Sequence, residues 1–403
     1  MIRNIFILLI LSFMVSAVHG SSQRIDKAIF VEDRNEYKEM LLEKKGEEVD
    51  KDVEKVLKMD FEGVYIPHSI DDFKQAWHFA PKPQDLTGSC WSFSSISFFE
   101  TEVYRITGKK IKLSEMFVVY WEFVEKARRF VKEKGDSVFS RGSQPNSARL
   151  ILSVYGVVPQ EMYGMKKSEE DIYDDRAMYR EMKEYIQSVK EEKLWNEEEV
   201  ISHIKSILNS HMGEPPDNVV VDGKSYTPVE YVKNILKINP NDYVDVMSLE
   251  ESPFYKEAEY KVADNWGHCS TYYNVPLEDF MNIIKKSVME GYTVCIAGDN
   301  SEPGFYPQLD VAMIPSFDII GEYIDDNARQ FRFSNESTTD DHAIHLVGAM
   351  EKDGEDWYLI KDSSVKAQNG RVKGYVFYHE DFIKLKMMNM LVHKNMISNI
   401  NEK

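Results

Sequence analysis

A single cysteine, Cys90, stands where a polar turn changes into an apolar segment, in the stretch QDLTGSCWSFSSISFFETEVYRITG. The apolar residues after it recur at helical spacing, which predicts a helix from Cys90 to about Thr107 that stops at Gly108. A free thiol has a pKa of about 8.5, and the unpaired N–H groups at a helix N-terminus favour the thiolate. Cys90 is therefore either a buried small hydrophobe or a nucleophile placed for covalent chemistry.

A nucleophilic thiolate of this kind needs an imidazole partner, and two histidines lie in the alternating segment DHAIHLVG. His342 shares one face of the predicted strand with Ile344 and Leu346, whereas His345 points to the other face. His342 is the candidate base and His345 is the weaker one. Both can equally be strand histidines with ordinary hydrogen-bond partners, and a zinc pair is disfavoured because no third ligand is near.

The segment TGSCWSF, with Gln84 six positions before Cys90, resembles the nucleophile segment of the papain superfamily of cysteine peptidases. This resemblance implies an oxyanion hole formed by the Gln84 side chain and the Cys90 backbone N–H, which would stabilise charge on the attacked carbonyl. DHAIHLVG and YLIKDSS resemble the histidine and asparagine segments of that superfamily, so His342 would be the base, and Asp362 stands where asparagine is usual. Ser364 replaces a shielding tryptophan, but an aspartate can still orient an imidazole.

The resemblance also suggests residues that hold the substrate. The segment RGSQ resembles the part of the cleft that binds the substrate backbone, which makes Gly142 and Ser143 candidate substrate-binding residues. Asp341, directly before the candidate base, is a third candidate. No metal and no cofactor are implied by this chemistry, which needs only a thiolate, an imidazole and water.

Longer segments are similar to the bleomycin hydrolase and aminopeptidase C branch of the superfamily. These segments include KLSEMFVVYWEFVEKARRF, GSQPNSARLILSVYGVVPQEMY, YYNVPLEDF and AGDN, and the similarity covers roughly residues 65–165 and 240–395. Well-known members are cytosolic hexamers that fold a C-terminal tail into the cleft. The end of this chain, LVHKNMISNINEK, does not resemble that tail, so tail-based trimming and hexamer assembly are not carried over, and the oligomeric state stays open. The chain is more similar to the secreted bacterial members of the branch, which implies an exported cysteine peptidase that is aminopeptidase-like or degrades oligopeptides.

The order of predicted elements gives an α+β protein. Residues 21–64 are rich in charge and are predicted as a helical arm, 65–164 as a helical domain that carries the nucleophile, and 165–240 as a helical insertion. Residues 241–403 contain short segments rich in Tyr, Val and Ile between turn residues, which predict an antiparallel, barrel-like β domain. The resemblance places the active-site cleft of a papain-like fold between the two domains.

The first twenty residues, MIRNIFILLILSFMVSAVHG, carry one charge and then an apolar run that is too short for a good transmembrane helix. We expect residues 1–20 to be a cleaved signal peptide that directs export to the periplasm or the extracellular space. An uncleaved anchor is the alternative. Three cysteines form no disulfide framework; a Cys269–Cys295 bridge is conceivable in an exported protein, although YTVCIAG favours Cys295 as a small hydrophobe in a buried strand.

The net charge of −19 disfavours a nucleic-acid partner, because binding to a phosphate backbone requires many cationic side chains. The resemblance implies a peptide or protein substrate, and the short apolar run at the start of the chain indicates no stable membrane insertion. Two other functions remain open at this point: a catalytically weakened binding protein on a papain fold, and an acyl transferase or amidase that uses the same Cys–His pair. The side-chain preference and the choice between peptide ends and interiors are not determined by the sequence.

Overall fold

The computed structural model describes residues 24–50, 53–165, 171–398 and 400. The predicted signal peptide at residues 1–20 lies outside the described residues. Within the described part of the chain, no helix is both long and apolar enough to cross a bilayer.

The helices are α1 (Glu36–Lys44), α2 (Cys90–Thr107), α3 (Glu115–Lys132), α4 (Pro145–Val154), α5 (Arg176–Glu192), α6 (Glu197–Met212), α7 (Pro228–Tyr231), α8 (Leu277–Met289), α9 (Asp326–Ser334) and α10 (Glu380–Lys386).

The strands are β1 (Ala28–Glu32), β2 (Lys55–Met59), β3 (Lys74–Gln75), β4 (Val219–Val221), β5 (Lys224–Tyr226), β6 (Tyr243–Met247), β7 (Lys256–Ala258), β8 (Tyr272–Asn274), β9 (Val294–Gly298), β10 (Phe305–Tyr306), β11 (Val311–Ala312), β12 (His342–Lys352), β13 (Glu355–Lys361), β14 (Tyr375–His379) and β15 (Met387–His393).

The N-terminal arm is less helical than the sequence predicted. Helix α1 is capped by Asn35, whose side chain accepts a hydrogen bond from the Lys38 N–H, and it ends at Lys44. The following segment forms β2, which pairs antiparallel with β1 and sets Lys55 opposite Glu32. The helical prediction for this segment is wrong because its backbone groups bond to a distant strand, which charge spacing along the sequence does not reveal.

The nucleophile-bearing part of the chain folds into helices α2, α3 and α4, close to the predicted boundaries. Helix α2 stops at Gly108, which adopts a left-handed conformation with φ 69°, and Ser114 caps α3 through a hydrogen bond from the Phe117 N–H. Apolar side chains such as Phe98 and Phe99 are fully buried at 0% exposure. The residues of the predicted insertion, among them those of α5 and α6, belong to the same core cluster, so this insertion has no separate core.

The later part of the chain forms a large sheet in the order β10-β11-β14-β13-β12-β9-β15-β6-β8-β7, with β3 paired to β12. Most pairs are antiparallel, but β11 with β14 and β6 with β8 are parallel. Strand β12 lies near the middle, between β13 and β9, and helix α2 packs against it. The predicted α+β class is confirmed, and this packing sets the N-terminus of α2 beside the start of β12.

Candidate active site

Cys90 is the first residue of α2 and is partly exposed. The turn before it is held close to a neighbouring segment, because an added Cβ at Gly88 would lie 2.7 Å from the Arg141 Cβ. The Gly88 N–H and the Arg141 guanidinium both donate to the buried Asp175 carboxylate, at 3.4 and 2.7 Å. The thiol therefore stands at a helix N-terminus, at the end of a turn that is held in place by Arg141 and Asp175.

His342 and Asp362 lie side by side because β12 begins at His342 and β13 ends one residue before Asp362. The His342 Nε2 atom is 2.9 Å from the Asp362 Oδ1 atom. The same oxygen accepts a hydrogen bond of 2.7 Å from the Ser364 backbone N–H. Ser364, which replaces the expected tryptophan, thus holds the carboxylate through its main chain.

Burial and neighbouring charges shift the pKa values of His342 and Asp362 in opposite directions. Burial alone would lower the pKa of His342, but the charges of Asp362 and Cys90, with hydrogen bonds to both, raise that pKa well above its usual value. Burial would raise the pKa of Asp362, but His342 and the Ser364 main chain hold it below its usual value. The arrangement therefore favours the protonated imidazole of His342 between the Asp362 carboxylate and the Cys90 sulfur.

Gln84 connects the nucleophile turn to the segment after Asp362. Its backbone N–H donates to the Ser363 carbonyl at 2.8 Å, and its side-chain oxygen accepts from the Ser363 hydroxyl at 2.7 Å. The Gln84 Nε2 atom donates to the Thr87 carbonyl at 2.9 Å. Since a primary amide has two N–H donors, one remains for a ligand.

The candidate substrate-binding residues differ in what they can offer. A Cβ on Gly142 would meet the Asp264 Oδ2 atom at 2.2 Å, so Asp264 lies directly against this backbone. The Ser143 hydroxyl is turned inward, because it donates to Glu122 at 2.5 Å and lies 2.7 Å from the Ser147 hydroxyl. Only the main chain of Ser143 is therefore available to a substrate. Asp341 is exposed, and its Oδ1 atom accepts a hydrogen bond of 3.2 Å from the Asn300 N–H.

His345 lies on the opposite face of β12 from His342 and is fully buried. Its Nδ1 atom is 2.8 Å from the Ser97 hydroxyl, which also accepts a hydrogen bond of 2.7 Å from the Lys361 ammonium. Burial and the charge of Lys361 hold the pKa of His345 well below its usual value. The sequence interpretation missed Ser97 and Lys361, although the serines spaced through α2 are a signal for a polar contact face.

The three cysteines are unpaired. Cys295 is completely buried in β9, and burial raises its pKa to about 12. The expectation of a small hydrophobe in a strand is confirmed, and the bridge between Cys269 and Cys295 is absent. Among the described residues, no cluster of three potential metal ligands occurs.

Comparisons with known proteins agree with this architecture. The model of the Peptidase C1-like family matches residues 79–403. The crystal structure of PepW from Lactobacillus rhamnosis is similar with a TM-score of 0.61 at 16% identity, over 82% of this chain and 85% of PepW. Human cathepsin L2 is 33% identical over 81 residues, which are 17% of this chain and 24% of cathepsin L2, so the match spans about a quarter of that relative.

The family match covers most of the chain, and the structural likeness to PepW extends over both the helices and the sheet. The chain belongs to the Peptidase C1-like family of the papain superfamily, and its fold is papain-like.

Proposed function

We propose that this protein is a cysteine peptidase that hydrolyses peptide bonds through a covalent acyl-enzyme on Cys90. The observation that carries this proposal is the 2.9 Å contact between His342 and Asp362, with the Cys90 thiol interacting with the same imidazole. A nucleophile, a base and a group that orients the base, in hydrogen-bond reach of one another, form the arrangement that acyl transfer requires.

In the proposed reaction, the Cys90 thiolate attacks the peptide carbonyl and the electron pair of the C=O bond moves to its oxygen. The Cys90 backbone N–H and the second Nε2 hydrogen of Gln84 stabilise this oxyanion. The tetrahedral intermediate collapses, the C–N bond breaks, and His342 gives its proton to the leaving amine. His342, now neutral, takes a proton from water, whose oxygen attacks the thioester and releases the acid and the thiolate.

The supporting residues divide into two groups. Asp362 holds the ring of His342 and favours its charged form. The main chain at Gly142 and Ser143 and the carboxylate of Asp341 line the proposed binding cleft on the acyl side, while the side chain of Ser143 takes no part because it is bonded internally.

The decisive experiment compares wild-type protein with Cys90→Ala on a library of peptides, with the new termini read by mass spectrometry. We expect cleavage by the wild type and none by Cys90→Ala. Cys269→Ala is the matched control, since Cys269 is also unpaired and partly exposed, and it should cleave like the wild type. Hydrolysis that persists in Cys90→Ala would remove Cys90 from the nucleophile role, and amine incorporation in place of hydrolysis would indicate an acyl transferase.

We further propose that the protein is an exported, aminopeptidase-like or oligopeptide-degrading relative of the bleomycin hydrolase branch. The similar segments in both domains and the apolar leader at residues 1–20 support this proposal. Paired peptides with free and acetylated N-termini test the end preference, and mass spectrometry of the mature N-terminus tests removal of the leader. Equal cleavage of both peptides would indicate an endopeptidase.

A further inference from the structure

A pocket of about 230 Å³ lies between the N-terminal arm and the large sheet. Its lining includes the cationic side chains of Arg34, Lys38, Lys58 and Lys366, and a single acidic one, Asp33. We call it the cationic pocket. The chain has a net charge of −19, so this group of four cationic side chains differs in sign from the charge of the molecule as a whole.

The lysines of the cationic pocket form no close ion pair with the carboxylates that the structure describes. Among the described residues, no carboxylate oxygen lies within ion-pair distance of Lys38, Lys58 or Lys366. Elsewhere in the chain, lysines beside carboxylates form close pairs, as Lys394 does with Asp242 at 2.8 Å. The three ammonium groups therefore face the pocket with unused capacity for an anion.

Lys58 is the most constrained of the three. It lies in β2, and its ammonium donates to the Phe305 carbonyl at 2.9 Å, which fixes it at the junction of the arm and the sheet. Burial lowers the pKa of Lys58, and the positive charge of Lys366 lowers it further. The negative charges of Asp33 and Glu302 raise it, but less than burial lowers it. A partly desolvated cation without a close counter-ion is stabilised by any anion that enters.

Hydrogen bonds connect the arm that lines the cationic pocket to segments that flank the candidate active-site residues. The Tyr37 hydroxyl donates to Asp85, beside Gln84, at 2.7 Å. The Tyr37 N–H and the Asn35 side-chain oxygen both bond to the Asn369 side chain, each at 2.9 Å. Lys366 is four residues after Asp362, and its charge acts on Asp341 beside the candidate base. The arm is therefore hydrogen-bonded both to the turn before Cys90, through Asp85, and to the segment after Asp362, through Asn369.

We propose that the cationic pocket binds an anionic oxygen group, a carboxylate or a phosphate. If the proposed peptidase function holds, on which this assignment of the source rests, the group is a carboxylate of the substrate on the leaving side. The acyl side would run along Gly142 and Ser143, which directly follow Arg141, the residue that lies against Gly88 in the turn before Cys90. A chain that continues past the scissile bond would then extend toward Lys366. A free anion such as phosphate is the other source.

The first arm of the experiment measures kcat/KM for peptide pairs that carry Asp or Asn at each leaving-side position, and for pairs with a free or amidated C-terminus. For wild-type protein we expect the anionic member to be preferred about three- to ten-fold at one position, the range of a charge-assisted contact near a surface. In Lys58→Gln/Lys366→Gln this preference should disappear. Lys224→Gln, which removes one positive charge on the β4–β5 hairpin, should retain it.

The second arm uses inorganic phosphate alone and follows the midpoint of thermal unfolding at low ionic strength. Phosphate should raise the midpoint of the wild type and of Lys224→Gln, and should raise that of the double variant less. A lysine-dependent response to phosphate without any preference among peptides would assign the pocket to a free anion and overturn the substrate source. If Lys58→Gln does not fold, Lys38→Gln/Lys366→Gln decides by the same criteria, since both of those side chains are exposed.

Failure of the proposed peptidase function and failure of anion binding in the cationic pocket give different results. If wild-type protein cleaves no peptide, the proposed function fails, and the phosphate arm alone decides whether the pocket binds anions. If cleavage depends on Cys90 while neither arm responds to the lysine substitutions, the peptidase stands and the cationic pocket is not a binding site.

Discussion

The ammonium of Lys361 lies 2.7 Å from the hydroxyl of Ser97, and this contact joins the strand that precedes Asp362 to the helix that begins at Cys90. The same hydroxyl is 2.8 Å from the Nδ1 atom of His345, on the strand that begins at His342. One buried side chain therefore touches all three elements that carry the proposed nucleophile, base and orienting carboxylate.

Ser97→Ala removes this shared partner and leaves a buried ammonium and a buried imidazole without it. We expect the free energy of unfolding to fall by about 1–3 kcal/mol, the cost of leaving buried polar groups unsatisfied. We also expect kcat to fall more than KM rises, because a small shift between α2 and the strands misaligns the reacting groups. Urea denaturation and steady-state kinetics measure the two effects.

Thr101→Val is the matched control for Ser97→Ala. The Thr101 hydroxyl donates only within its own helix, to the Ser97 carbonyl at 3.2 Å. Its loss should alter kcat little, and Ser97→Thr, which keeps the hydroxyl, should recover part of the lost rate. Equal kinetic effects of Ser97→Ala and Thr101→Val would show that the Ser97 contact does not position the site.

Asp362→Asn replaces the carboxylate by the amide that is usual in the superfamily. The charge of Asp362 would then no longer oppose the effect of burial on His342, so the pKa of His342 should fall and the imidazolium should be lost at lower pH. We expect the alkaline limb of kcat/KM against pH to move to lower pH by about one unit or more, as for removal of a charge in contact. Asp356→Asn, which removes a carboxylate of β13 that is paired with Lys285, should not move it.

The same pair makes stability depend on pH in a defined direction. The pKa of folded His342 is raised, so its contribution is complete below the unfolded pKa of about 6.5 and is lost as pH rises through the folded value. The pKa of folded Asp362 is lowered, so its contribution is complete above about 3.9 and is lost as pH falls through the folded value.

Between these limits, near pH 5, the difference in free energy of unfolding between the parent and Asp362→Asn should be greatest, and it should shrink toward alkaline pH. Chemical denaturation of both proteins in a Cys90→Ala background measures this without interference from the thiol. A difference that stays constant from pH 5 to pH 9 would show that the two groups are not linked in this way.

The sequence predicted those parts of the site whose signal is local. The helical spacing after Cys90 predicted α2 and its stop at Gly108, and strict alternation around His342 separated it correctly from His345. Both elements are buried on nearly every side, but their apolar residues still recur at the period of a helix and of a strand. The resemblance to a family supplied the rest of the proposed site, including Gln84, which no periodicity marks.

The sequence did not predict what depends on contacts between distant segments. The spacing of charged and apolar residues in β2 predicts a helix, because the pairing of this segment with β1 leaves no mark in its own sequence. The contact of Ser97 with Lys361 spans 264 positions, and the polar residues involved are hidden among apolar ones in both elements. Even the inward direction of the Ser143 hydroxyl follows from Glu122, on a helix that precedes it by a long loop.

Gly142→Ala tests whether the backbone beside Asp264 is part of the substrate cleft. The new methyl group would lie 2.2 Å from a carboxylate oxygen of Asp264, so that side chain or the backbone must shift. We expect a loss of about 1–3 kcal/mol in the free energy of unfolding, as for other overpacked sites, together with a lower kcat/KM. Gly267→Ala, where an added Cβ meets no atom within 4 Å, is the control and should change neither quantity.

Asp264→Ala in the same chain as Gly142→Ala removes the obstacle and should recover part of both losses. The two substitutions are in contact, so their effects on stability should be less than additive in a double-mutant cycle. Recovery of kcat/KM in the double variant would show that the loss in Gly142→Ala came from the clash with the Asp264 carboxylate. It would also show that the methyl group alone does not block the cleft. Strictly additive losses of stability would contradict the close approach of Asp264, and an unchanged kcat/KM in Gly142→Ala would remove this backbone from the substrate-binding cleft.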